Sequence, residues 1–204
     1  MDRRKMLFSG LIGGTSLFYV PELLAQTSPV KPSLSPFYIP PSAPLQPGQS
    51  GQDIKVIIRS GQTNKQISNI EVALGPKKMG APPHVHDELD ELMYVLEGTA
   101  TVMIGKDIFE VPTGGWLFRP HGIPHSFWNS QNTRLRFIDF FFNQNIEDYL
   151  EEFLHKIPAY IKEHNITPDN PEIVARISDL NKEFGITWFP EQLQDILDKY
   201  GLTV

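Results

Sequence analysis

Between Asp53 and Asn143 the chain is broken by Gly, Pro, Asn and Asp at intervals too short for a layer of helices. The runs between these breaks are rich in β-branched and aromatic residues: Ile54–Arg59, Gln66–Leu74, Leu92–Leu96, Thr99–Ile104, Phe109–Val111, Gly115–Phe118, Ser126–Asn129 and Arg134–Phe142. Gly98, Gly105–Lys106–Asp107 and Pro112–Thr113–Gly114–Gly115 sit where tight turns are needed. Short strands closed by turns in this way predict a mainly β, antiparallel fold, a jelly roll or small barrel over residues 53–143.

The flanks read differently. Arg3, Arg4 and Lys5 precede a modestly apolar stretch from Met6 to Val20, with Ala25 as a small residue behind it, so residues 1–25 are expected to be a removable export signal. The adjacent arginines resemble a twin-arginine signal, which implies a periplasmic or extracellular protein with no membrane span in its mature form. Residues 26–52 carry seven prolines between Gln26 and Pro47 and are expected to be an extended linker, or an arm pinned by Phe37, Tyr38 and Ile39 to an apolar groove, in a homodimer that of the partner. Residues 144–204 are expected to be a helical extension. Ile146, Tyr149, Leu150, Phe153, Leu154 and Ile157 recur at three and four, Asn170–Pro171 opens a second helix that stops at Gly185, and Pro190 opens a third. This extension is expected on the barrel exterior or against a second subunit.

Composition narrows the chemistry. With 204 residues, 40% of them hydrophobic, the chain suffices for one core of ordinary size. A formal charge of −6 argues against nucleic acid as a partner. The absence of cysteine removes disulfides, thiolate metal sites and cysteine nucleophiles, so any transition metal must be held by His and carboxylate.

His84 and His86 are two apart and on a strand share one face, expected to be the barrel interior. Glu91 begins a run whose same-face residues, Met93 and Val95, are apolar, which directs the carboxylate inward, where it is costly unless paired or bound to a cation. His125 opens another strand behind the Pro120–Pro124 turn. Three His and one Glu make a nitrogen and oxygen site for Mn, Fe, Ni, Co, Cu or Zn.

These residues resemble the cupin superfamily. The pattern His-x-His-x4-Glu-x6-Gly is met by His84, His86, Glu91 and Gly98, and Gly-x5-Pro-x-Gly-x2-His-x3-Asn by Gly114, Pro120, Gly122, His125 and Asn129. The glycine that opens the first motif is missing, Lys78 standing there. The resemblance implies a double-stranded β-helix with His84, His86, Glu91 and His125 as metal ligands. Asn129 is expected to close a backbone network, and His121, His155 and His164 to be surface residues.

The ligand set does not name a reaction. Trp116, Phe118, Phe127, Trp128, Phe137, Phe140, Phe141 and Phe142 crowd the later strands and some must face inward, which suits a small aromatic or enolisable substrate. Arg119, Arg134 and Arg136 are the candidate cations near the motifs. The leading expectation is a metal-dependent dioxygenase resembling the quercetinase-like cupins, with Mn or Fe as metal and Glu91 as proton acceptor. A metal-assisted isomerase or lyase and a non-catalytic ligand-binding protein are the alternatives.

Overall fold

The computed structural model describes residues 33–204. The expected signal at 1–25 and the first part of the expected linker lie outside the described residues. From Ser33 to Gly48 the chain runs extended without regular secondary structure, and Leu45 N–H donates to Glu71 Oε1 (2.9 Å).

Ten strands follow: β1 (Gln52–Ile58), β2 (Ile67–Leu74), β3 (Lys78–His86), β4 (Asp90–Glu97), β5 (Thr99–Ile104), β6 (Asp107–Pro112), β7 (Trp116–Arg119), β8 (His125–Asn129), β9 (Leu135–Phe142) and β10 (Ile186–Trp188). They form two antiparallel five-stranded sheets, ordered β1-β2-β9-β4-β7 and β10-β3-β8-β5-β6. This is the double-stranded β-helix. The strict alternation of β9 places Leu135, Phe137, Asp139 and Phe141 inward and Arg136, Ile138 and Phe140 outward. Val72, Phe137 and Val95 lie side by side across three strands at the centre of the core.

Two glycines make the strands fit. Gly98, in the β4–β5 turn, has φ +82°, and a Cβ there would stand 2.7 Å from the Arg134 carbonyl oxygen. Gly80 lies under the Phe127 ring, where a Cβ would stand 2.3 Å from a ring carbon, so close backbone approach is met at position 80. Asn129 is fully buried, and its Nδ2 donates to the carbonyls of Gly75 and Thr133 (both 2.7 Å), as its motif position implies.

The C-terminal region is helical with one departure. Its helices are α1 (Ile146–Glu151), α2 (Ile157–His164), α3 (Pro171–Glu183) and α4 (Leu193–Tyr200), with a π turn over Glu152–Lys156 joining α1 to α2. Asn170 caps α3 by accepting from Glu172 N–H (2.9 Å). Between α3 and α4 the chain drops into β10, which pairs with β3, so this extension is not merely applied to the outside of the barrel. The α1 face and the π turn close the barrel over Ile146, Tyr149, Leu150, Phe153 and Leu154, and Ile196 of α4 packs on Met79 and Trp128. Burial of the apolar side of these helices against both the interior and the back of a sheet explains the position.

Candidate metal centre

The end of β3 carries His84 and His86, the start of β4 Glu91 and the start of β8 His125. Antiparallel pairing sets His84 opposite His125, and all four side chains are buried. One ring nitrogen from each of His84, His86 and His125 falls within 4.8 Å of the others, a group that could hold a metal ion. The ring centroids are 4.4 Å apart for His84 and His125, 4.9 Å for His84 and His86, and 5.3 Å for His86 and His125. Glu91 lies beside this three-histidine group rather than within it, with Oε2 2.7 Å from His125 Nε2 and Oε1 4.0 Å from His86 Nε2.

The donor chemistry fits a cation. His84 Nδ1–H donates to the Pro82 carbonyl (2.7 Å), which leaves its Nε2 as a free lone pair, and His125 Nδ1–H donates to the Ile123 carbonyl (3.1 Å), which turns its Nε2 toward the cluster. His125 Nε2 is buried 2.7 Å from Glu91 Oε2, and His86 Nδ1 is a buried nitrogen without a hydrogen-bond partner among the described residues. Burial favours the neutral form of His84 and His86, the form that ligates. It pushes His86 down to about 4 and His84 well below its ordinary value, where the neighbouring imidazoles act in the same direction.

Glu91 is held by a group that motif reasoning did not assign. Arg119, the last residue of β7, is completely buried. Its Nε donates to Glu91 Oε2 (3.1 Å) and its Nη2 to Asp139 Oδ2, so one guanidinium serves two carboxylates. Burial alone raises Glu91, but the buried Arg119 guanidinium beside it outweighs this and leaves the carboxyl well below its usual range. Asp139 receives less compensation, and burial pushes it up to about 6. The signal for Asp139 was its inward place in the alternation of β9, between Phe137 and Phe141. Arg134 and Arg136 lie on the outer face, paired with Glu97 and Glu71.

Next to the histidines is a cavity of about 90 Å³. Its lining includes His84, His86, Glu91 and Asp139, aliphatic residues of β1 and β2, Phe127 and Phe141, and the Tyr149, Phe153 and Trp188 wall of the C-terminal region. Trp188 sits opposite His84 in the β3–β10 pairing, with ring centroids 4.7 Å apart. Its Nε1–H donates to Asn181 Oδ1 (3.1 Å), which also accepts from the Tyr149 hydroxyl (2.8 Å). Of the aromatic residues in the later strands, Phe127 and Phe141 reach the cavity. Phe137 fills the core, Trp128 packs against Tyr200, and Trp116 and Phe118 are exposed. His121 is exposed against Asp90, and His155 and His164 are exposed on the helical region.

Fold and site thus define a double-stranded β-helix with a histidine cluster beside its cavity. Residues 70–141 match the family model of the cupin domain. No curated protein matches the sequence. Similar solved structures include KdgF from Halomonas sp., 19% identical over 48% of this chain and 84% of that one, with a TM-score of 0.43. A protein with a double-stranded beta-helix domain from Klebsiella pneumoniae is 16% identical over 50% of this chain and 85% of that one, with a TM-score of 0.44. A protein from Thermotoga maritima described as a predicted oxalate decarboxylase is 22% identical over 45% and 79%, with a TM-score of 0.42. Among the described residues no helix is long and apolar enough to cross a membrane.

Proposed function

We propose that this protein is an exported, metal-dependent oxygenase that uses dioxygen on a small, uncharged organic substrate bearing an aromatic or enolisable hydroxyl. The observation that carries this reading is the make-up of the cavity. Its polar end is His84, His86, Glu91 and Asp139, most of the remainder is aliphatic or aromatic, and among the described residues no Lys or Arg lines it to grip a phosphate or carboxylate. His84, His86, Glu91 and His125 would hold the metal, and a divalent ion there would supply Lewis acidity that favours the anionic form of a substrate hydroxyl.

The chain's own residues do the rest. Glu91 accepts the hydroxyl proton at a carboxylate oxygen, and Arg119 keeps that carboxylate ionised and oriented. Trp188, Phe153 and Tyr149 exclude water from above the histidines. Manganese or iron is the expected metal, because a twin-arginine leader delivers a protein that folds and loads its metal where free copper and zinc are scarce.

Metal analysis of protein purified from its own host, followed by an oxygen-electrode screen of phenolic and enolisable compounds, tests the proposal. The expected result is stoichiometric manganese or iron and substrate-dependent oxygen uptake, both lost in folded His84→Ala and His125→Ala proteins. Full metal occupancy in both variants rejects the ligand assignment, and mainly copper or zinc rejects the loading route. A metal-assisted isomerase or lyase is the second reading, favoured by Asp139 as a further proton carrier on the cavity wall. Turnover without oxygen selects it.

A further inference from the structure

The outer face of the first sheet is unusually apolar for a surface. Register aligns Phe140, Leu92 and Phe118 in one row across β9, β4 and β7, and Ile138, Tyr94 and Trp116 in the next. Tyr94, Trp116 and Phe140 form a stack, with centroids 4.3 Å apart for the first pair and 6.0 Å for the second. Trp116 is 56% and Phe118 51% exposed, and both stand on β7, which among the described residues is an edge of its sheet. Edge strands are normally blunted by Lys, Pro or a bulge, and this one presents two aromatic rings instead.

The same sheet carries a second apolar feature that has no partner among the described residues. The arm is tied to the outer face where Arg134 donates to Gln46 Oε1 (2.5 Å) and Leu45 N–H to Glu71, and Ser42 meets Lys55 Nζ (2.6 Å). These anchors run from β9 through β2 to β1, so the arm heads away from its own aromatic rows and toward the opposite edge. Beyond the last anchor, Leu34, Phe37, Tyr38 and Ile39 are 49%, 48%, 81% and 40% exposed. Pro36, Pro40 and Pro41 keep that stretch extended at little entropic cost on docking.

We propose that two copies of this chain pair through these faces, the Leu34–Ile39 segment of each lying over the Trp116–Phe118 rows of the other. A two-fold axis parallel to the strands brings β1 of one copy opposite β7 of its partner, where each departing arm meets the other copy's exposed rings. With aromatic side chains offering about 150–250 Å² each, the exposed parts of the six side chains amount to about 700 Å² per copy. An isologous pair then buries about 1,400 Å², within the ~1,200–2,000 Å² of a stable specific interface.

The test is the solution mass of the full chain by light scattering at micromolar concentration. The expected species has twice the 23.2 kDa chain mass. The paired substitutions Trp116→Lys with Phe118→Lys, and Tyr38→Ser with Ile39→Ser, should each weaken dimerisation by about a hundredfold, the scale of losing an aromatic hot spot. Phe109→Ser, at an exposed apolar position on the other sheet, should leave it unchanged. Because the chain has no cysteine, an Ile39→Cys copy mixed with a Phe118→Cys copy reports the contact directly. Oxidation should give a covalent dimer joining the two kinds of chain, whatever the lysine substitutions do to folding. A monomeric wild type, a dimer indifferent to the arm substitutions, or a mixture that yields no mixed disulfide would overturn the proposal.

Discussion

Replacing Arg119 with Met keeps a long side chain in place and removes the cation on which two buried carboxylates depend. Arg119, Glu91 and Asp139 are all nearly inaccessible to water, so solvent cannot take over the lost interactions. Removing one partner of a buried ion pair costs about 3–5 kcal/mol, chiefly because the remaining charge is stranded. In a chain of this size each kcal/mol moves the midpoint by about 2–4 °C, so metal-free Arg119→Met should melt about 10 °C below the wild type. Adding Asp139→Leu to it should recover part of the loss, since one stranded carboxylate disappears. A divalent cation should also protect the variant more than the wild type, because it supplies beside Glu91 the positive charge that was removed. Thermal and urea unfolding, with chelator and with manganese, read all three effects. The reasoning is refuted if the metal-free variant lies within about 1 kcal/mol of the wild type, or if the double variant is no more stable than the single one.

Three further outcomes follow from the same geometry. Asp139 titrates at about 6 when folded against 3.8 ordinarily, so the folded state holds its proton more tightly. That contribution is complete below the ordinary value and is lost as pH rises through about 6. Asp139→Asn should therefore remove a fall in stability across this window of at most about 3 kcal/mol, measured by urea unfolding against pH. Gly98→Ala forces a side chain into a left-handed turn and against the Arg134 carbonyl, and should cost about 2 kcal/mol or more in urea unfolding. Trp188→Ala should destabilise by about 3 kcal/mol. It should also keep metal stoichiometry while speeding metal loss to a chelator, as the wall beside His84 opens.

The legible part of this protein is what local chemistry dictates. Turn residues at short intervals define most of the barrel strands, and two histidines separated by one residue share a face wherever their segment is a strand. β3 escapes that reading because Pro82 and Pro83 interrupt it, and β10 because three residues between helices carry no periodicity of their own. The aromatic rows illustrate the limit of composition: Phe141 and Phe140 are chemically identical neighbours, and only the register of β9 sends one to the cavity and the other to the surface. Arg119 and Asp139 come together because β7 and β9 flank β4, a pairing between segments distant in sequence. Trp188 reaches His84 only because the whole helical region folds back over the barrel mouth.

That return sets an order of events during synthesis. The strand bearing His84 and His86 gains its outer neighbour from residues 186–188, about a hundred positions later, a long-range closure of the kind that slows folding. A nascent chain lacking its last segment offers the histidines on an unflanked edge, open to water and without their tryptophan. The centre can be finished only once residues 186–188 have emerged, so a product terminated before them should be a poor scavenger of metal rather than a smaller working version of the protein.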